Sequence, residues 1–128
     1  MLAPRLMVLV LAVLACANAT AAEFEPIAEG GTLTGKLRLV PTRHPNGTRI
    51  EAYQIVSKPR AMPKGDDFCD YDKGATIFHL FTMKPNLRKQ LDPLLGKTLS
   101  VKAISLFCSE TAWHVGDVAV PQWELLAK

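Results

Sequence analysis

The sequence ATIFHLFTMKPNLRKQLDPLLGKTLSVKAISLF, residues 75–107, contains two predicted strands separated by one short helix. Residues 75–83 carry apolar side chains on both faces, which is typical of a strand covered on both sides. Residues 97–107 alternate between polar and apolar, which predicts a strand with one buried face. Leucines between them recur at the spacing of a helix face, and Pro93 limits that helix to one or two turns followed by an irregular turn.

Two more strands are predicted before this segment. Residues 32–40 (TLTGKLRLV) alternate regularly, and Gly35 inside the run indicates a bulge or a barrel bend. Residues 41–48 (PTRHPNGT) contain an Asn-Gly pair, which favours a hairpin turn because both residues tolerate positive φ. Residues 49–57 then form the returning strand.

The remaining segments complete a mainly β chain. Residues 58–73 form a long irregular stretch, and residues 117–126, with or without 113–115, supply a last strand or two. A helix between the third and fourth of five strands is the layout of the OB-fold, a small Greek-key barrel. We therefore predict a small OB-like five-stranded barrel with one short helix. The alternative is an α+β sheet with one covering helix.

The first 22 residues have the pattern of an export signal. Arg5 provides the positive charge, and residues 6–15 form an apolar run too short to span a bilayer, which needs about 20 residues. Ala19-Thr20-Ala21 is a small-residue cleavage site. The sequence thus predicts a signal peptide, residues 1–22, and a single exported domain, residues 23–128, that is periplasmic or secreted.

Cys16 raises the alternative of a lipoprotein. Residues 13–16 (VLAC) resemble a lipobox, in which the cysteine is lipidated. Leu14 is larger than the residue usual at its position, so we do not expect a lipid anchor at Cys16. No second long apolar run follows, so no membrane span is expected in the exported domain.

Composition limits the classes of partner. The chain has 128 residues with 15 Lys and Arg, 12 Asp and Glu, and a formal net charge of +3. Removing residues 1–22, which contain Arg5 and no acid, lowers the charge to +2. This charge is small and evenly spread, whereas a nucleic-acid-binding protein carries a clustered basic face. Nucleic acid is therefore not an expected partner.

Two cysteines remain after the signal peptide is removed. Cys69 and Cys108 form an even pair in a small exported domain, which predicts a disulfide. The bond would close a loop of about 40 residues, worth roughly 4 kcal/mol by the chain-entropy relation. A redox site is not indicated, because the pair lacks C-x-x-C spacing.

Residues 91–114, LDPLLGKTLSVKAISLFCSETAWH, resemble a family of uncharacterised bacterial exported proteins. The family motif runs Leu-x-x-Leu-x-Gly-Lys, then alternating valines, a Leu-Phe pair and a Thr-x-x-His end. The positions of this chain that match the motif are Leu91, Leu94, Gly96, Lys97, Leu99, Val101, Leu106, Phe107, Thr111 and His114. The resemblance implies a bacterial, exported, β-rich domain and implies no particular reaction.

This chain departs from the family pattern at two places. The family usually has glycine where Ala103 stands. It also has a histidine-rich run where residues 112–115 here read Ala-Trp-His-Val. With one histidine in place of two or three, the segment is a weaker candidate for a metal site.

No catalytic signature is present. The chain lacks G-x-S-x-G, and Cys108 in a disulfide cannot act as a nucleophile. The aspartates of residues 66–72 resemble a calcium loop but lack the twelve-residue spacing and the bidentate glutamate. A zinc site would require His44, His79 and His114 to converge in space. We therefore predict that the protein is not an enzyme and that it needs no cofactor.

Aromatic residues define a candidate binding face, which the open surface of an OB-like barrel would present. Its members are Tyr53, Tyr71, Trp113, His114 and Trp123. The competing interpretation is that these side chains pack in the core or at a barrel end.

Two functions follow from these features. The first is a non-enzymatic periplasmic or secreted binding module for an unknown small ligand, glycan or envelope protein. The alternative is a protein-binding inhibitor or immunity factor that acts on an envelope enzyme through residues 58–73.

Overall fold

The structure is a computed structural model that describes residues 23–126. The predicted signal peptide and Cys16 lie outside these residues. No helix within the described part of the chain is long and apolar enough to cross a membrane. The described elements, in chain order, are β1 Glu25–Pro26, β2 Gly31–Arg43, β3 Arg49–Ala61, β4 Ala75–Leu80, α1 Pro85–Leu91, a 3₁₀ turn Asp92–Leu94, β5 Thr98–Cys108 and β6 Val118–Leu125.

The five long strands close into a barrel. Their order is β3-β2-β5-β6-β4, and β4 pairs back to β3, so the ring is complete. The β4–β6 pair is parallel, and the other four pairs are antiparallel. With α1 between the third and fourth of these strands, the fold is the predicted OB-like barrel, and the α+β alternative is not adopted.

Strand β2 belongs to both halves of the barrel and changes its pairing partner at Lys36. It pairs with β5 as far as Lys36 and with β3 from Lys36 onward. A Cβ at Gly35 would overlap the carbonyl oxygen of Val56 on β3. Glycine is needed here because the two backbones approach too closely for any side chain. The close approach of β3 explains why glycine interrupts the alternation of β2.

The core is formed by the inward-facing residues of the strands and by one residue of the helix. Leu33, Ile55 and Val101 have no exposed surface, and Leu91 at the end of α1 packs into the same cluster. Gly96 then adopts a φ of 81° and donates its N–H to the carbonyl of Leu37 at 2.8 Å. The positive φ lets the chain turn from the helix directly into β5.

Three strands run through prolines: Pro41 and Pro59 lie beyond the predicted strand ends, and Pro121 lies within the predicted last strand. Strand β2 continues through Pro41, beyond the point at which its pairing with β5 has stopped. Strand β3 continues through Pro59, which lies in a register shift between Val56 and Arg60. Strand β6 continues through Pro121, next to the last residue that pairs with β4. Proline is tolerated because each position lies at a free edge or an irregularity.

Two other boundaries differ from prediction. Strand β4 ends at Leu80 and not at residue 83, because Pro85 starts α1 soon afterwards. Residues 113–115 form no strand, and they belong instead to the β5–β6 loop, residues 109–117.

The predicted disulfide is confirmed. Cys69 and Cys108 are bonded, with 39 residues of sequence separation, and join the β3–β4 loop (residues 62–74) to the end of β5. The Asp66 carboxylate reinforces this link, since it accepts the N–H of Phe68 at 2.9 Å and that of Cys108 at 3.0 Å. The loop is therefore held at several points along its length.

Candidate ligand-binding groove

The β5–β6 loop lies across the outer face of β3 and β4. Gln54 and His79 are cross-strand partners on that face, opposite the core pair Ile55 and Phe78. The Val115 N–H donates to Nδ1 of His79 at 3.0 Å, and Nε2 of Gln54 donates to the Val115 carbonyl at 2.7 Å. Both backbone polar groups of one loop residue are thus bound by strand side chains, which fixes the loop on the barrel.

His79 is held in its neutral form. It is buried beneath the loop, and burial, together with repulsion from His114, lowers its pKa to about 4. Protonation would also remove the lone pair that accepts the Val115 N–H. Because Nδ1 is the acceptor, the hydrogen of the neutral ring is on Nε2.

The β2–β3 turn (residues 44–48) meets the β5–β6 loop through two aromatic rings. His44 stacks on Trp113, with ring centroids 3.9 Å apart and planes inclined by 20°. Local hydrogen bonds also hold the two residues. Nδ1 of the His44 ring accepts the Asn46 N–H at 3.1 Å, and the backbone N–H of Trp113 donates to Oγ1 of Thr111 at 3.3 Å. The stack joins the two loops that flank the outer face.

His114 is fixed in the same loop next to Trp113. Its Nδ1 accepts the N–H groups of Glu110 at 3.0 Å and Thr111 at 3.3 Å. Its ring packs edge-on against Phe107 at a centroid distance of 5.1 Å. These contacts give His114 a structural role in shaping the loop.

The histidines are poorly arranged to bind a metal. His44, His79 and His114 each use Nδ1 to accept a backbone N–H. A histidine that ligates a metal through one nitrogen normally donates a hydrogen bond from the other. The observed bonds select the opposite tautomer, so the residues do not favour the zinc interpretation.

Aspartates of the β3–β4 loop also accept hydrogen bonds from backbone N–H groups. The Asp70 carboxylate accepts the N–H of Asp72 at 3.1 Å and that of Lys73 at 3.3 Å. Within residues 23–126 the one group of potential metal ligands at suitable spacing is Asp66, Cys69 and Cys108. Its two sulfurs are bonded to each other, so neither is a thiolate ligand.

A groove of about 420 Å³ lies beside the fixed loop, within the size range of ligand sites. Strand β3, the end of β4, α1 and Trp113 form its walls. The lining residues are Arg49, Ile50, Glu51, His79, Phe81, Thr82, Met83, Arg88 and Trp113. This location is the face of the second and third barrel strands, between the two flanking loops, where OB-folds bind oligonucleotides and oligosaccharides.

A row of three charged side chains crosses the groove. Glu51 lies between two arginines, and its two carboxylate oxygens are each 3.4 Å from a guanidinium nitrogen, one of Arg49 and one of Arg88. The two arginine side chains are 65% and 45% exposed. The row therefore carries a net charge of +1 at the surface of the groove.

The five residues of the candidate binding face occupy three places. Trp113 lines the groove and is 43% exposed, and His114 follows it in the same loop. Tyr53 and Trp123 are buried. The Tyr53 hydroxyl donates to the Asp92 carboxylate, and burial is the main reason that the pKa of Tyr53 is raised to about 12. Trp123 donates its Nε1–H to the carbonyl of Phe81 at 2.8 Å.

Tyr71 lies elsewhere, in the β3–β4 loop. Its hydroxyl accepts the Asp66 N–H at 3.0 Å and donates to the Asp66 carbonyl at 2.8 Å. The ring thus braces the loop. Among the five residues, Trp113 is the one that lines the groove, and His114 is its neighbour in the same loop.

Sequence reasoning did not single out the charged row. Arg49 and Glu51 are two residues apart on β3 and so share a face of the strand, which is a signal that the sequence contains. Arg88 follows 37 residues after Glu51, on α1, and no local pattern connects it to the strand.

Comparison with known proteins finds no matching family model, no matching curated protein and no matching solved structure. The family resemblance of residues 91–114 stays a prediction. In the structure, several of its motif positions serve the fold: Leu91, Leu99 and Val101 are buried, and Gly96 makes the turn into β5.

Proposed function

We propose that this protein is a non-enzymatic binding module that works outside the cytoplasm and binds a small ligand or a glycan in the groove. One observation carries the proposal. The exposed indole of Trp113 is held beside the charged row by a loop that His44, Gln54 and His79 fix in place. A groove that is already formed loses little entropy when its ligand binds.

The chemistry of the groove favours binding over catalysis. His79 cannot act as a base through Nδ1, which is hydrogen-bonded, and its low pKa makes it a weak base at neutral pH. Each carboxylate oxygen of Glu51 already faces a guanidinium group, so neither is directed at a bound ligand. Thr82 carries the one hydroxyl among the lining residues, which include no cysteine, serine or lysine.

The proposed location follows from two features of different kinds. Residues 1–22 have the composition of a secretory signal peptide. The Cys69–Cys108 disulfide would persist in an oxidising compartment and would be reduced in most cytoplasms. Both support a periplasmic or secreted protein.

An NMR titration tests the proposal. Backbone amide spectra of the ¹⁵N-labelled protein are recorded with a library of neutral and charged sugars and small metabolites. We expect at least one compound to shift the amides of Glu51, Phe81 and Trp113 together. Trp113→Ala should abolish these shifts, whereas Phe68→Ala, which removes an exposed aromatic residue from the β3–β4 loop, should leave them unchanged. Shifts confined to other surfaces, or none from the whole library, would reject the proposal.

The β3–β4 loop supports a second candidate function, that of a protein-binding inhibitor or immunity factor. Phe68 projects from this loop with 61% of its surface exposed, while the disulfide and the Tyr71 hydroxyl restrain the loop around it. Restrained loops with an exposed aromatic residue suit recognition of a protein pocket.

Affinity purification from an envelope extract distinguishes the two functions. An inhibitor should retain one protein at near-equal stoichiometry, and Phe68→Ala should release that protein while Trp113→Ala should not. Recovery of the domain without such a partner would count against the inhibitor.

A further inference from the structure

We infer that the groove binds an acidic sugar, a pyranose ring that carries a carboxylate. This inference rests on the proposed function and specifies its ligand. Three observations support it: the two arginines have N–H donors available, the Trp113 indole offers an aromatic surface, and the neutral His79 ring, which also lines the groove, can donate a hydrogen bond.

The arginines have donors available for a ligand. Each contacts Glu51 at 3.4 Å, which is longer than the roughly 2.7–2.9 Å of a strong charge-assisted hydrogen bond. Within residues 23–126 no other hydrogen bond occupies the guanidinium of Arg49 or Arg88. Guanidinium groups bind carboxylates through paired N–H donors. Glu51 contacts only some of the N–H donors of the two arginines, so a ligand carboxylate would accept hydrogen bonds from the others.

The charge of the lining residues has the sign that this ligand requires. Arg49, Arg88 and Glu51 are the charged side chains among them, with a net charge of +1. His79 adds no charge at neutral pH, because its pKa is about 4. One negative charge on the ligand would therefore neutralise the groove.

Trp113 provides a surface for the ring. One part of its indole is covered by His44, and 43% of its surface stays exposed. The apolar C–H face of a pyranose can bury itself against such a flat ring and keep its hydroxyls at the periphery. Because the stack on His44 already orients the indole of Trp113, the indole loses little conformational freedom when a ligand binds.

His79 supplies a polar contact of fixed direction. Its Nδ1 is bonded to Val115, so Nε2 carries the hydrogen and is the ring nitrogen left to donate to a ligand. It lines the groove together with the hydroxyl-bearing Thr82. Neutral donors and acceptors around an aromatic surface match sugar hydroxyls better than they match an alkyl chain.

The test compares trigalacturonic acid with its fully methyl-esterified form, which has the same rings without the charge. Binding to the protein expressed from the full chain is followed by isothermal titration calorimetry and by tryptophan fluorescence at pH 7 and low salt. We expect the acid to bind at least about tenfold more tightly than the ester. Arg88→Gln and Arg49→Gln should each reduce this preference, and Trp113→Ala should weaken both ligands.

Lys102→Gln is the matched control. Lys102 is an exposed cation on β5 that does not line the groove, so its removal lowers the net charge by the same amount. The preference for the acid should survive in this variant. An equal loss in Lys102→Gln and Arg88→Gln would overturn the inference, because the preference would then reflect overall charge.

Other outcomes separate this inference from the proposed function. If acid and ester bind equally and Trp113→Ala removes both, the acidic class is wrong and the groove remains a glycan site. If phenylacetate binds more tightly than trigalacturonate and displaces it, the ligand is a simple aromatic acid and the sugar part of the inference is wrong. If neither sugar binds, the acidic-sugar inference is overturned, while the NMR library screen decides the proposed function independently.

Discussion

Lowering the pH from 7.5 to 5 is expected to destabilise the protein by about 2 kcal/mol through His79 alone. An unfolded histidine has a pKa of about 6.5, whereas the folded pKa of His79 is about 4. Between these values the unfolded chain binds a proton that the folded protein does not, so stability falls as the pH falls. The full difference is roughly 3 kcal/mol, which is present above pH 6.5 and lost once the pH passes below 4.

His79→Asn isolates this contribution. The asparagine carbonyl lies near the position of Nδ1, where it can accept the Val115 N–H, and it does not titrate. The variant should be less stable than the wild type at pH 7.5, because it fills less of the space under the loop. Its stability should nevertheless depend less on pH. His44→Asn is the control, since it makes the same exchange in the exposed β2–β3 turn and keeps an acceptor for the Asn46 N–H.

Urea unfolding at pH 7.5, 6 and 5, followed by tryptophan fluorescence, gives the free energies. From pH 7.5 to pH 5 the wild type and His44→Asn should each lose about 2 kcal/mol more than His79→Asn loses. The range stops at pH 5 so that most carboxylates stay ionised. Parallel pH profiles for the wild type and His79→Asn would refute the claim that the loop holds this ring neutral.

Three further predictions concern the barrel. Replacing Cys69 and Cys108 by serine should lower the free energy of unfolding by roughly 4 kcal/mol. A wild-type urea midpoint that is the same with and without reductant would contradict this. Leu91→Ala should cost about 2–5 kcal/mol in urea unfolding, because Leu91 is fully buried, whereas Leu95→Ala, at a residue 37% exposed, should cost under about 1 kcal/mol. Gly35→Ala should cost about 1–3 kcal/mol through overlap with β3, and a melting temperature equal to the wild type's would show that the two strands can separate enough to accept a side chain.

The order of the elements along the chain could be predicted because each strand carries its own pattern. Alternation in β2 and β5, the Asn-Gly turn and the proline-limited helix are local signals, and each identified its element. The ends of β2 and β3 were predicted too early, before Pro41 and Pro59. Whether a proline is tolerated depends on which edge of the strand is paired at that position, and that is a property of the assembled sheet.

The groove could be predicted only in part. The double-sided apolar pattern of β4 indicated cover on both faces, and the cover on the outer face is the β5–β6 loop held by Gln54 and His79. The sequence placed Trp113 and Trp123 together in the candidate binding face and gave no way to tell the exposed indole from the buried one. The charged row depends on Arg88 of α1 approaching β3, a contact that only the closed barrel creates.

The position of β6 has a consequence for the order in which the chain can fold. This strand lies between β4 and β5, and its parallel pair with β4 joins Phe78 to Val118, about 40 residues apart. Until residues 118–125 have paired, β4 and β5 each present an unpaired edge, and unpaired edges invite association between chains. Closure also requires contacts of long sequence separation, which form slowly. The barrel therefore stays open, with two strand edges available to other chains, until residues 118–125 are in place.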